Sequence, residues 1–354
     1  MSSTTNKKPI LVCGGAGYIG SHIVIELAQS GFEPIIFDNV STGFAQSVDA
    51  IEQILGNKVV FIKGDICCEQ DVDNAFKQYQ PVGVVHLCAF SQVGESVQKP
   101  LVYYQNNVGG MMTLLKVMKA YKTKHLIFSS TAAVFGIPDE AIAKKGIDES
   151  VVKHPISPYG ETKLTSEQLL ASCANAWGDS FSYVALRYFN AAGAHASGLI
   201  GESHQPESHL IPLLLQVANN QREKIFIFGD DYPTPDGTCI RDYIHVTDLA
   251  TAHVLALNYL MQGGESDAFN LGNGQGYSVK QVIETTREVT KHPIPAEKAP
   301  RRAGDPAVLI TNSEKAKKQL EWKIQYPTLK SIIASAWKWS ESHKKGYGKQ
   351  EKNI

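Results

Sequence analysis

Nowhere in its 354 residues does the chain carry an apolar run approaching the ~20 residues that span a bilayer, and it has no block of basic residues before its tail. With a formal net charge of −1, it offers no concentrated positive field for nucleic acid or an anionic membrane surface. Its six cysteines, Cys13, Cys67, Cys68, Cys88, Cys173 and Cys239, include no CxxC pair. That excludes a zinc ribbon and a disulfide framework, so the thiols read as small buried hydrophobes in a reducing compartment, and no metal site is expected. The first residues, Met1 to Lys8, are polar and lack the apolar core of a secretory signal. The expectation is a soluble, cytoplasmic protein with neither nucleic acid nor membrane as partner.

What is present is an α/β rhythm. The length suggests roughly two domains of about 150 residues. Short apolar runs at 10–13, 34–37, 59–62, 82–87, 125–128 and 183–186 are bounded by Gly, Asp or Ser, as strands buried on both faces are. Helical patterns at 18–30, 69–80, 101–121 and 158–176 lie between them. This predicts a Rossmann-like, doubly wound parallel sheet over residues 9–190. Beyond Asn190 comes a Gly-, Ser-, His- and Pro-rich connection, then shorter helices and strands. Residues 191–345 read as a smaller α/β substrate-binding lobe that can exchange strands with the first domain, with flexible tails at 1–8 and 346–354.

Gly14, Gly17 and Gly20 directly follow the first strand and open a helix. Glycines there permit a tight turn, close approach of backbone to a pyrophosphate, and tight helix–strand packing, while the helix N-terminus presents amide donors to phosphate. Tyr18 and Ile19 belong to the same first turn. The second strand ends in Asp38, at about the 20-residue separation from the glycines at which an acid meets the adenosine ribose diol. A carboxylate there repels a 2′-phosphate and favours NAD over NADP. Asp65, followed by Ile66, closes the third strand and has two readings, an adenine contact or an ordinary strand-end turn.

Far downstream, Ser157 and Pro158 suit the cap and first turn of a helix. Tyr159 and Lys163 then fall on one helical face. A free phenol titrates near about 10 and is a poor base at pH 7. A neighbouring ammonium and a positive nicotinamide ring would both favour phenolate, and lowering the pKa by roughly three units takes about 4 kcal/mol. Thr131, at the end of the fifth strand, offers a hydroxyl to the reacting oxygen, or bonds the backbone as strand-end threonines do. A glycine-rich turn or a Tyr-x-x-x-Lys pair alone is common; together they describe a dinucleotide site with a tyrosine acid/base beside it.

With those residues assembled, the chain resembles the extended short-chain dehydrogenase/reductase family, in particular its branch that epimerises nucleotide sugars at C4. The resemblance runs from about Pro9 to about Trp337 and rests on GGAGYIGSH at 14–22, VGESVQKP at 93–100, Tyr159 to Lys163, RYFNAAG at 187–193, DGTCIRDYIHV at 236–246 and RRAGD at 301–305. It implies an isomerase that interconverts UDP-galactose and UDP-glucose with NAD. C4 is oxidised to a 4-keto sugar, which rotates and takes the hydride back on its opposite face. Tyr159 would remove the 4-hydroxyl proton, with Thr131 sharing that hydroxyl's hydrogen bond and Lys163 supporting the tyrosine. Asn39, Asp65 and Ile66 would join Gly14, Gly17, Tyr18, Ile19, Gly20 and Asp38 around the cofactor. Asn190 would hold the substrate near its sugar and diphosphate, Arg241 and Arg302 would clamp the diphosphate, and Asp305 would hold ribose or sugar. Leu210, Phe226 and Phe228 complete the implied substrate contacts, the phenylalanines at the uracil. The family commonly pairs as homodimers through helices of its first domain.

Some positions depart from the family pattern. Ser91-Gln92 stands where many members have a lysine, so no second cofactor lysine is expected. His209 reads equally as a substrate contact or a surface histidine. Arg241 could instead pair with its neighbour Asp242. Leu309 falls at the position that gates N-acetylated sugars, and its intermediate size leaves a UDP-N-acetylglucosamine 4-epimerase as the alternative activity. A 4,6-dehydratase needs a further acid, and this chain has Ala132-Ala133 where such enzymes carry Asp-Glu. A silent NAD-binding sensor would have lost the Tyr, Lys or clamp residues, and all are present.

Overall fold

The computed structural model describes residues 7–302 and 305–348. The expected tails lie outside these residues except for Lys7, Lys8 and 346–348, as do Ala303 and Gly304 of the RRAGD stretch.

The central sheet is built from β1 (Pro9–Cys13), β2 (Glu33–Asp38), β3 (Val60–Lys63), β4 (Gly83–His86), β5 (His125–Thr131), β6 (Ser182–Tyr188) and, after the smaller strands described below, a late strand at Asp267–Leu271. Strands β1 to β5 pair in parallel. From one edge the order is the late strand, β6, β5, β4, β1, β2, β3. Chain order therefore reverses between β1 and β4. In doubly wound sheets ligands bind outside the carboxyl ends of the strands at such a switch point, which is where β1 delivers its glycines. Ile10, Leu11, Val12 and Cys13 are wholly buried, as a strand covered by helices on both faces requires.

The helices Tyr18–Gln29, Glu69–Tyr79 and Pro158–Trp177 match the periodicity of the sequence to within a residue or two. The expected helix at 101–121 is instead composite: Pro100–Tyr103, a π-helical stretch Tyr104–Gly109, then Gly110–Tyr121. A single-turn π insertion of this kind often marks a functional site. One helix, Gln46–Leu55, carries no sequence start signal, because Ala45 at its N-cap has no side-chain acceptor.

The remaining strands are β7 (Asn190–Ala192), β8 (Ile225–Phe228), β9 (Ile240–His245), the late strand β10 (Asp267–Leu271), β11 (Gly276–Ser278), β12 (Ala296–Ala299) and β13 (Val308–Leu309). β9 is the hub of a small mixed sheet, with β11 antiparallel to it and β13 and β7 parallel. β8 and β12 form a separate parallel pair. The helix Val279–Thr290 starts on a capping box between Ser278 and Gln281, which satisfies two end amides reciprocally.

The chain forms two compact units, each assembled from separated stretches where the sequence suggested contiguous spans of 9–190 and 191–345. One comprises the described residues up to Val134 with Ser157–Leu186 and Ala250–Ala268; the other comprises Phe135–Ile156, Arg187–Leu249 and the described residues from Phe269 onward. Each has its own apolar core, one around Leu11, Phe37, Phe76 and Phe128, the other around Leu214, Ile227, Ile283 and Ile332. Hydrophobic periodicity reports what each element buries, not which later segment returns to cover it, so these boundaries are invisible in the pattern. The described part of the polar C-terminal segment is anchored within the second unit. Tyr347 packs 4.8 Å from the Trp339 ring and its hydroxyl accepts the Gly201 amide at 3.4 Å.

Candidate active site

The glycine turn is tight because nothing else fits. Gly14 sits at φ +87°, in the left-handed region, and a Cβ on Gly20 would stand 2.0 Å from the Gly14 carbonyl oxygen. Gly17 is the N-cap of the helix whose first residues are Tyr18 and Ile19. This backbone cradle at a helix N-terminus is the arrangement that receives a pyrophosphate.

Asp38 lies at the end of β2 with little exposure, at 6%. One carboxylate oxygen accepts the Ala16 amide at 3.0 Å and the other accepts the Val40 amide at 2.8 Å. These bonds hold the group at the mouth of the cradle. Burial pushes its carboxyl above the usual range, and the two amides pull the other way. Val40 takes a positive φ of 53°, a costly conformation for a β-branched residue, and its amide is the one that braces Asp38. Asn39 donates to Asp65 at 3.0 Å, and Asp65 also accepts the Cys67 amide at 2.8 Å. The strand-end turn is thus one role Asp65 fills, and Ile66 behind it is buried.

The second cluster of this unit is the tyrosine helix. Ser157 caps it, its hydroxyl accepting the Gly160 amide at 3.2 Å. Half-buried Tyr159 hydrogen-bonds Thr131, whose Oγ1 also accepts the Ala133 amide at 3.2 Å. Lys163 is buried, donates to the Ser129 carbonyl at 2.7 Å, and has its ammonium 4.9 Å from the Phe128 ring centre. Cys88 links the two clusters: it lies against Gly14, and its thiol is within electrostatic reach of Lys163.

The protein alone does not depress the tyrosine. Burial pushes the Tyr159 phenol up to about 12, with the Thr131 hydrogen bond opposing, and burial pulls Lys163 down to about 7. The expectation that the lysine lowers the phenol is corrected here, because the Lys163 ammonium is spent on a backbone carbonyl and both groups are desolvated. A bound nicotinamide ring would supply positive charge that Lys163 does not.

Sequence reasoning passes over Asn107. Its amide nitrogen donates to the Thr162 hydroxyl at 3.0 Å and to the Phe90 carbonyl at 3.1 Å, while Thr162 donates to the Tyr159 carbonyl at 2.7 Å. This buried asparagine braces the turn that carries Tyr159, and only the π-helical stretch points it there.

In the second unit, Asn190 opens β7 opposite Tyr243 of β9. Arg241 and Asp242 are successive residues of β9 and point to opposite faces. Their mutual salt bridge is not formed: the Arg241 guanidinium pairs with Asp305 and donates to the Ile240 carbonyl at 2.7 Å. Asp242 accepts the amides of Asn273 and Gly274 at 2.9 Å and of Thr311 at 3.1 Å. Phe226 and Phe228 share one face of β8 with ring centres 6.5 Å apart, and Arg302 lies over Phe228 at 4.0 Å. Leu309 pairs in register with Arg241. Leu210 is the first residue of the helix Leu210–Ala218; His209 before it turns Nδ1 toward Glu202 at 2.8 Å and Glu207 at 3.3 Å. Ser91 precedes Gln92, whose amide donates to the Tyr103 hydroxyl at 3.1 Å.

Comparison with known proteins gives the family. Residues 10–272 match the model of the NAD dependent epimerase/dehydratase family. The chain is 52% identical to a UDP-glucose 4-epimerase of Halalkalibacterium halodurans over 344 residues, covering 97% of this chain and 99% of that protein. The structure of UDP-glucose 4-epimerase from Bifidobacterium longum in complex with NAD+ and UDP superposes with a TM-score of 0.90 at 39% identity, over 96% of this chain and 100% of that one. That from Brucella ovis in complex with NAD gives 0.87 at 42% identity, over 93% and 97%.

Proposed function

Because the chain belongs to the NAD-dependent epimerase/dehydratase family, we propose that it interconverts UDP-galactose and UDP-glucose by inverting C4, with NAD as its cofactor and Tyr159 as its acid/base. It is an isomerase. The observation that carries the reading is the Tyr159–Thr131 hydrogen bond above buried Lys163, in the same unit as a switch-point glycine cradle and Asp38. NAD, when bound, supplies a reversible acceptor for the hydride at C4.

The chain's own residues do the rest. Gly14, Gly17, Tyr18, Ile19 and Gly20 hold the pyrophosphate, and the missing Cβ at Gly20 supports that role by letting the helix N-terminus close onto the Gly14 turn. Asp38 takes the ribose diol; Asn39, Asp65 and Ile66 border the adenine. Tyr159 receives the 4-hydroxyl proton and gives it back, Thr131 orients that hydroxyl, and Lys163 fixes the strand end through Ser129. Arg241 and Arg302 hold the diphosphate, since a guanidinium fork makes planar, bidentate contacts that lysine does not. Asn190, Leu210, Asp305, Phe226 and Phe228 complete the nucleotide-sugar contacts. Anchoring the nucleotide firmly while leaving the sugar few fixed contacts suits a reaction that must present both faces of C4. Ala132 and Ala133 beside Thr131 provide no acid for eliminating water, which favours epimerisation over dehydration.

Asp38→Ala removes the diol acceptor and the brace on Ala16 and Val40. Hydrogen bonds to charged groups contribute about 1.5–3 kcal/mol each, so NAD affinity should fall on the order of 100-fold. Cofactor content after gel filtration reads this directly, and an unchanged content would remove Asp38 from the site.

An N-acetylated UDP-sugar is the second substrate class to test, on account of Leu309, which lies beside Arg241 in the sheet register. Leu309→Tyr should suppress turnover of UDP-N-acetylgalactosamine by at least about tenfold, the effect of roughly 1.4 kcal/mol of steric cost, and spare UDP-galactose. Equal loss on both would place the gate elsewhere.

A homodimer through helices of the first unit is supported by apolar side chains exposed along one segment: Val97 at 62%, Leu101 at 82% and Met112 at 58%. Several large apolar side chains exposed within one short stretch of chain suit an interaction surface. Light scattering should give twice the 38.7 kDa chain mass, and Leu101→Glu should shift it to the monomer. Among the described residues no helix is long and apolar enough to cross a membrane.

A further inference from the structure

The stretch between the glycine-rich connection and the helix Leu210–Ala218 gathers four metal-ligating side chains that the proposed reaction does not use. Donor atoms of Glu202, His204, Glu207 and His209 all lie within 4.8 Å of one another. We propose that these four side chains form a Zn2+ site.

Three of the four histidine-to-carboxylate spacings fit a tetrahedral ion, and the fourth, His209 to Glu202, is a hydrogen-bond distance that a bound ion would open by about half an ångström. Zinc bonds of about 2.0–2.2 Å to nitrogen and oxygen put neighbouring donors about 3.3–3.5 Å apart. His204 Nδ1 stands 3.3 Å from Glu202 Oε1 and 3.4 Å from Glu207 Oε2, and His209 Nδ1 stands 2.8 Å from Glu202 Oε1 and 3.3 Å from Glu207 Oε1. Each imidazole thus presents the same nitrogen to both acids, and the two rings meet edge to face at 5.3 Å. Two carboxylates and two neutral imidazoles balance a divalent charge. A nitrogen–oxygen donor set without thiolate suits zinc rather than the oxygen-only, higher-coordinate shells of calcium and magnesium.

The ligands are also held from behind, as ligands of real sites are. Glu207 Oε1 accepts the amides of Ser208 at 2.8 Å and His209 at 2.9 Å. The Glu202 carbonyl accepts Trp339 Nε1 at 3.2 Å, and the Gln205 side chain donates to the Gly348 carbonyl at 3.2 Å. The carboxylate side chains are only 7% and 6% exposed, while His204 and His209 are 30% and 51% exposed, which leaves a solvent-facing side for the ion to enter. A bound ion would fasten residues 202–209 to the start of the helix that carries Leu210. Without one, the two carboxylates pair with the two imidazoles as an ion-pair network.

The test uses the full chain with its cofactor and without a histidine tag. After dialysis against a chelator, it is reloaded with Zn2+, passed through gel filtration and assayed for metal. About one zinc per chain is expected in the wild type, with a Tm raised by about 5 °C, and none in His204→Asn/His209→Asn. Zinc-free wild type, or equal zinc in the double variant, overturns the site. Should the double variant fail to fold, Co2+ loaded into the wild type decides. A visible spectrum of tetrahedral cobalt without a sulfur-to-metal band supports the cluster, and a thiolate band assigns the ion to cysteines instead.

Discussion

Replacing Tyr159 by phenylalanine is expected to lower kcat by about 10²–10⁴-fold, the span over which a positioned acid/base contributes, with little change in UDP-sugar binding. The ring and its packing remain, so only the proton carrier and the Thr131 hydrogen bond are lost. A fall in kcat and kcat/KM together is the signature of an interaction used in the transition state. The pH dependence follows from the environment of the phenol. In the protein alone, burial holds Tyr159 at about 12, so it stays protonated across the physiological range. A base acts in its deprotonated form, so activity of the NAD-bound enzyme should rise with pH through whatever lower value the positive nicotinamide ring imposes. That rise should vanish in Tyr159→Phe. Wild-type turnover in the variant would remove Tyr159 from the mechanism.

Asp242→Ala should cost on the order of 4 kcal/mol of folding stability, because it leaves three backbone amides without the acceptor they share. Gly272 shows how closely the site is packed: a Cβ there would stand 2.8 Å from Asp242 Oδ2. The carboxylate ties β9 to the segments at 273–274 and 311, so its loss should also loosen Arg241 on the opposite face and raise KM for the nucleotide sugar. Burial raises the Asp242 carboxyl from 3.8 to about 7 even against three amides. A carboxyl raised in the folded state binds its proton more tightly there than in the unfolded chain. On this group's account stability falls as pH climbs from about 4 to about 7, and Asp242→Asn should flatten that slope. Denaturant unfolding across this pH range checks both parts; an alanine variant within 1 kcal/mol of wild type would mean water replaces the carboxylate.

The parts of the site that are local in sequence were legible there. β1, the glycine turn and the first helix lie within twenty-odd residues, and their chemistry depends on backbone conformations that few residues permit. Asp38 follows from its place at the end of the next strand, and the Ser157 cap and the Tyr159–Lys163 face follow from helical spacing. What escaped the sequence depends on contacts between distant segments. Arg241 and Asp305 find each other from β9 and the loop before β13, so in the sequence the adjacent Asp242 stands as an alternative partner until strand alternation separates them. Asn107 acts through a π-helical stretch that has no residue signature. Lys163 turned out to serve the Ser129 carbonyl, a role hidden in any pattern because the acceptor is backbone. Glu202, His204, Glu207 and His209 are close in sequence yet read as loop polarity, since only the fold of that loop turns both imidazoles onto both acids.

The central claim is C4 inversion by a Tyr159-centred site. Its most direct test is NMR of the purified protein incubated separately with UDP-galactose and with UDP-glucose. The predicted result is that both samples reach the same mixture of the two sugars, with no 4-keto-6-deoxy product. Sugars that stay unconverted in both tubes while NAD remains bound, or the appearance of a dehydrated product, would contradict it.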